Sequence, residues 1–166
     1  MRRPLSPADL ALTPSAEVAV RSVTAEDGRT VYEIVEAAFA DHWNHHPRSY
    51  DEWWDQHANR PESDLSLWWV AEIDGRPVGV LIANRQMADE DAIYIANVAT
   101  VREARGKGAA KALLRKAFAA GVEQGWSSAK LNVDSSSSTS APALYDGVGM
   151  TVEFAIRAWQ REVAAS

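Results

Sequence analysis

The stretch 98-VATVREARGKGAAKALLRKAF-118 runs from an apolar segment, through two glycines set among cations, into an alanine- and leucine-rich segment. The apolar residues up to Val101 read as the end of a strand over 92–101. Leu113, Leu114, Ala117 and Phe118 recur at the spacing of one buried helical face. Gly106 and Gly108 therefore stand where a strand enters a helix predicted over 106–124. The first-turn amides of a helix have no intrahelical acceptors, and the aligned peptide dipoles leave about half a positive charge there. An anion is the natural partner: glycines admit a phosphate without a Cβ in the way, and Arg102, Arg105 and Lys107 add charge around it. Lys107 is followed by Gly108 rather than Ser or Thr, so a P-loop does not fit, and Gly-Lys-Gly-Ala-Ala-Lys lacks the third glycine of a dinucleotide fingerprint.

Working outward, 166 residues with 46% apolar content suit one compact domain. Folding at this length removes roughly 70% of the extended-chain surface, so no disulfide or structural metal is needed. There is no cysteine, which removes thiol nucleophiles and thiolate metal sites. The absence of a signal-like or long apolar run predicts a cytoplasmic chain with no membrane partner. A net charge of −6 argues against general nucleic-acid binding and suits a cationic substrate better.

Residues 1–16 carry Pro4, Pro7 and Pro14 without periodicity and read as a tail or linker ahead of a single domain over 17–166. A strand over 17–23 precedes a helix opened by Thr24 and Asp27, with Val31, Ile34, Val35, Ala38 and Phe39 on one face. Ser49 and Glu52 open a second, short helix that ends before Pro61. Two β-rich runs joined by Asp74-Gly75 read as an antiparallel hairpin. The third helix should end near Gly121 or Gly125, followed by a strand over 128–134, a short helix carrying Pro142 in its first turn, and a final strand over 150–163. The order predicts an α/β (α+β) domain with a mixed, largely antiparallel sheet and one parallel βαβ crossover.

Arg105-Gly106-Lys107-Gly108-Ala109-Ala110 matches the pattern Arg/Gln-x-x-Gly-x-Gly/Ala, and at this point the chain resembles the GNAT superfamily of N-acetyltransferases. Leu144-Tyr145 and Gly149-Met150 match a second segment of that family, with Ser137 where an Asn is usual. The resemblance covers 17–163, and 38-AFADHWNHHPRSYDEWW-54 with 133-VDSSSSTSAPALYDGVGM-150 looks like its mycothiol synthase-related branch. It implies acetyl-CoA as acyl donor and a small-molecule or peptide amine as acceptor, in a monomer or homodimer. On this reading the loop Arg105, Gly106, Lys107, Gly108, Ala109, Ala110 and Lys111 holds the pyrophosphate. The main chain of Val98, Ala99 and Thr100 faces the acetyl carbonyl and the pantetheine arm, with Ser137, Thr139 and Ala141 completing the coenzyme side.

The resemblance implies Tyr145 as the acid that protonates the departing thiolate. A glutamate serves as base in the branch; Tyr94 stands in its place, and Asp91 and Glu90 lie just upstream as carboxylates that could act through one water. Glu36, Asp41, His42, His45 and His46 are expected at the acceptor cleft, with Trp43, Trp53 and Trp54 either beside them or in the core. The histidine spacing matches no strong zinc pattern, and no metal is expected. The competing expectation is a non-catalytic acyl-CoA-binding half of a tandem protein.

Overall fold

Asp74 and Gly75 adopt left-handed backbone angles, φ 52° and 72°, and join β3 (Ser63–Ile73) to β4 (Arg76–Asn84) as the expected antiparallel hairpin. A two-residue turn with positive φ at both positions twists in the sense of the strands it joins, which is why Asp-Gly suits it. The computed structural model describes residues 1–11, 17–40, 46–133 and 141–155. Around the hairpin it places β1 (Arg2–Pro4), β2 (Ala19–Ser22), α1 (Gly28–Phe39), α2 (Tyr50–His57), β5 (Ala92–Thr100), α3 (Ala109–Glu123), β6 (Ser128–Leu131) and α4 (Ala141–Asp146). The six strands form one sheet in the order β1-β6-β5-β4-β3-β2. Only the β5–β6 pair is parallel, so β5–α3–β6 is the predicted crossover and the fold is the expected mixed α/β class. Among the described residues no helix is long and apolar enough to cross a membrane.

Alternation along the central strands supplies both faces of the sheet. Leu67, Trp69 and Ala71 of β3 join Leu81 and Ala83 of β4 against Leu113, Leu114, Ala117 and Phe118 of α3. The intervening Trp68, Val70, Val80 and Ile82 meet Val31, Ile34 and Val35 of α1 and Trp53 of α2. Strands covered on both faces need apolar side chains at nearly every position, which is what 67–71 and 80–83 provide. Each such large side chain contributes roughly 1.5–3 kcal/mol on burial. Gly121 belongs to the same packing, because a Cβ there would stand 2.6 Å from Leu5 Cδ1 and 3.1 Å from Ile93 Cγ2.

Four expectations are corrected. Residues 1–11 do not trail from the domain: β1 pairs antiparallel with β6, and a 3-10 turn over Pro7–Ala11 buries Asp9. Arg3 bonds Asp9 at 2.7 Å, and the Ser6 amide bonds it at 2.9 Å. A three-residue edge strand ending in proline carries no period-two signal; the open edge of β6 specifies it. The last strand, expected over 150–163, is a single bridge in its described part, Thr151 pairing with Arg2 through two bonds of 2.8 Å, while 156–163 lie outside the described residues. The helix expected from 106 begins at Ala109, because Gly106 and Gly108 have φ of 78° and 87° and cannot continue a right-handed helix. The strand expected over 128–134 stops at Leu131.

The entry to α1 is fixed electrostatically. Arg21 grips both oxygens of Asp27 at 2.8 Å and bonds Glu72 at 2.8 Å, and the Thr24 amide also donates to Asp27 at 2.8 Å. The Arg21 hydrogen bond, ahead of those from Thr24, holds the Asp27 carboxyl well below the ordinary carboxylate range. A carboxylate depressed on folding stabilises above its unfolded pKa of about 4 and loses that contribution as pH falls toward its folded value. Asp27→Ala is expected to lower stability by about 1–2 kcal/mol at neutral pH and to flatten the loss below about pH 4; urea unfolding across this range reads both effects.

Candidate functional site

β5 keeps β4 beside it up to Thr100, opposite Gly79, but keeps β6 only up to Ile95, opposite Leu131. The sheet therefore opens alongside residues 96–100. Ala96 has no partner on β4, since Ile82 faces Asn97 and Ala83 faces Ile95; this is a bulge of one residue. Past the bulge, the Val101 amide donates to Val78 O at 2.9 Å. Antiparallel alternation then turns the Ala99 backbone toward β4 and directs the Val98 and Thr100 backbones into the opening. Of the three expected main-chain contacts, two face the gap and the Ala99 amide serves the sheet. Thr100 Oγ1 is buried without a hydrogen-bond partner.

The loop after Thr100 closes one end of the opening. Arg102–Ala104 forms a 3-10 turn, and the Arg105 and Lys107 amides are taken up by Arg102 O and Ala104 O. Gly108 caps α3, and the first helical bond runs from the Ala112 amide to Gly108 O at 2.9 Å. The amides of Ala109, Ala110 and Lys111 are thus the acceptor-free first turn, with Lys107 and Lys111 exposed beside them. The Arg105 guanidinium donates to Ala38 O at 3.1 Å and ties the loop to the end of α1.

Tyr145 on α4 is 9% exposed and packs in the α3-side cluster, which Val98, Val133 and Ala141 border. Burial pushes its phenol above the ordinary tyrosine range, so it carries its proton at neutral pH. Tyr94 is half-buried on β5 and its hydroxyl takes a bond of 3.3 Å from Asn132 Nδ2; burial raises its pKa as well. A tyrosine so shifted is a weaker candidate for base than an exposed one. Asn132 escapes sequence inspection because its position just beyond β6, beside Tyr94, is set by the β5–β6 register; a polar residue ending a strand is the only local signal.

Asp91 does not join this group. It begins the turn into β5 with φ 56°, its carbonyl receives the Ser127 and Ser128 amides, and it lies seven residues before Val98, about 20 Å along the strand. Glu90 is held at 2.7 Å by Lys130. On the other face Trp53 is core, 2% exposed, stacked on His57 at 4.5 Å and edge-on to Trp68. Trp54 is half-buried against Tyr50 and Trp68. Glu36 is half-buried on α1 and His46 is exposed ahead of α2. Asp41, His42, Trp43, His45, Ser137 and Thr139 lie outside the described residues.

The family model described as "Acetyltransferase (GNAT) family" matches residues 28–150. A GCN5-related N-acetyltransferase from Sphaerobacter thermophilus superposes with a TM-score of 0.70 at 29% identity over 91% of this chain, which spans 45% of that protein's length. An aminoglycoside acetyltransferase from an uncultured soil metagenomic sample, in complex with sisomicin, superposes at 0.65 with 16% identity, covering 89% of this chain and 97% of that one. The ribosomal-protein-S18-alanine N-acetyltransferase from Escherichia coli superposes at 0.62 with 19% identity, covering 80% and 76%. No curated protein matches in sequence.

The orphan hydroxyl carries a measurable cost. Thr100→Val removes a buried, unpaired oxygen at nearly constant volume, so the ligand-free protein is expected to gain up to about 1 kcal/mol in urea unfolding.

Proposed function

The chain belongs to the GNAT acetyltransferase family, and on that premise we propose that it moves the acetyl group of acetyl-CoA directly to a primary amine of a small molecule or peptide. The observation that carries this reading is the sheet opening beyond Ile95, which lies between the Gly106–Lys111 loop and the Tyr145 helix. A thioester fits the residues present. The acceptor-free first turn of α3 and Lys107 would hold the pyrophosphate, while the Val98 and Thr100 backbones would bond the pantetheine arm and polarise the carbonyl.

In the transfer, the bound ammonium first gives one proton to water; the neutral nitrogen then forms a bond to the carbonyl carbon, and the carbon–sulfur bond breaks. The sulfur leaves with the electron pair and takes the Tyr145 proton, and the amine loses its extra proton to water at the acceptor side. Tyr145 suits this role because burial keeps it protonated until well into the alkaline range. Glu36 and His46, with Asp41, His42 and His45 of the adjoining segment, are assigned to the acceptor end, where carboxylates would attract a cationic amine. The names of two structural neighbours specify aminoglycoside and ribosomal-protein alanine acceptors, both amines. A place in the mycothiol synthase-related branch is part of the proposal and rests on the resemblance of the 38–54 and 133–150 segments.

A second reading has its own observation: the chain spans 45% of the Sphaerobacter protein, and Tyr94 stands where the branch carries a carboxylate. A non-catalytic acyl-CoA-binding half would bind the coenzyme and transfer nothing.

Acetyl-CoA should raise Tm, and at least one amine of a broad panel should accelerate thiol release from it. Tyr145→Phe should lower turnover by roughly 10²–10⁴-fold with coenzyme affinity little changed. Binding without stimulation by any amine selects the binding-half reading, and absence of binding rejects both. The activity should rise with pH as the bound amine loses its proton and fall only above the ordinary tyrosine range, where Tyr145 loses its own.

A further inference from the structure

The packing of β1 onto α3 builds a cavity of about 190 Å³ lined by Arg3, Lys111, Arg115, Phe118, Gly147 and Val148. Three cations and no carboxylate form its wall, in a protein of net charge −6. Lys111 and Arg115 stand four residues apart and so share one face of α3. Neither is ion-paired to a described residue. Arg3 reaches the cavity from β1 and is held in place on two sides. Its Nη2 bonds the buried Asp9 at 2.7 Å, and its guanidinium carbon lies 4.4 Å from the centre of the Phe118 ring. Its Nη1 is buried with no acceptor, a donor on a charged group that folding alone has not satisfied.

We propose that Arg3, Lys111 and Arg115 form a phosphomonoester site that takes the 3′-phosphate of the coenzyme, so that β1 sets a preference for coenzyme A over its 3′-dephospho form. The proposal rests on the acetyl-CoA reading above. A phosphomonoester carries close to two negative charges and three acceptor oxygens, which matches three converging cations better than a carboxylate does. Its source follows from position. Lys111 belongs to the first turn of α3, where the pyrophosphate would sit, and Arg115 lies about 6 Å further along the axis. In coenzyme A the 3′-phosphate is one ribose away from the pyrophosphate. Arg3 comes from β1, ahead of the matched family residues 28–150, so the edge strand supplies this contact.

The test is calorimetry with acetyl-CoA and acetyl-3′-dephospho-CoA on the full chain. The unmodified protein is expected to favour acetyl-CoA by about tenfold or more. Arg3→Gln and Arg115→Gln should each bring the two ligands to within about threefold while leaving dephospho-ligand binding unchanged. Arg3→Gln also strips Asp9 of its partner, so Arg115→Gln, which leaves that bond intact, keeps the test decisive if β1 loosens. Equal affinities in the unmodified protein overturn the proposal, as does a variant that weakens both ligands alike. Binding of neither ligand instead rejects the coenzyme reading itself. Inorganic phosphate that still binds at saturating acetyl-CoA would mark a free-anion site and overturn the coenzyme assignment.

Discussion

The last parallel pair of the sheet joins Ile95 to Leu131, and beyond it, among the described residues, β5 runs on with only β4 beside it. Everything assigned to the site follows from that parting. In a continuous sheet the Val98 and Thr100 backbones would be spent on a neighbouring strand. Here they are left facing a gap, held in orientation by β4 on the other side, so that donors are fixed before any ligand arrives. The bulge at Ala96 adjusts the direction of β5 at the point where its second partner is lost. Among the described residues β5 is thus held on one edge and carries no strand partner on the other past Ile95.

The rigidity comes from burial on both faces. Trp68 and Trp69 are adjacent in sequence and point to opposite sides, one against α1 and α2, the other against α3. Around Trp53 and Trp68 the aromatic rings meet mostly edge-on, the favoured arrangement for packed rings. Arg105 then connects the glycine loop ahead of α3 to the carbonyl end of α1, so the layers on the two faces of the sheet share a hydrogen bond as well as a strand.

Much of this was legible in local signals. Asp74-Gly75 specified its hairpin because few other pairs accept positive φ twice, and Ser49 with Glu52 marked α2 by a reciprocal cap that the structure contains in full. Gly106 and Gly108 were read as a bare-backbone turn, and both are left-handed. What escaped was set at a distance. β1 exists because β6 has a free edge, Arg105 bonds a carbonyl 67 residues earlier, and the Tyr94–Asn132 contact depends on register. Asp91 looked like a base beside the site because sequence proximity to β5 says nothing about which end of a strand faces the chemistry.

The bridge between Arg2 and Thr151, with Arg3 opposite Ala129, joins segments separated by more than a hundred residues. Closing so long a loop is entropically costly, and contacts of this kind form late in folding. A chain emerging amino end first must therefore carry β1 unpaired until β6 has been made and docked through α3. For that interval the segment is an exposed strand without a sheet, while the β3–β4 hairpin can form as soon as its own residues are free. The edge that completes the sheet is thus synthesised well before the strand it pairs with and is placed only after it, which makes β1 the natural place for local opening in the finished protein.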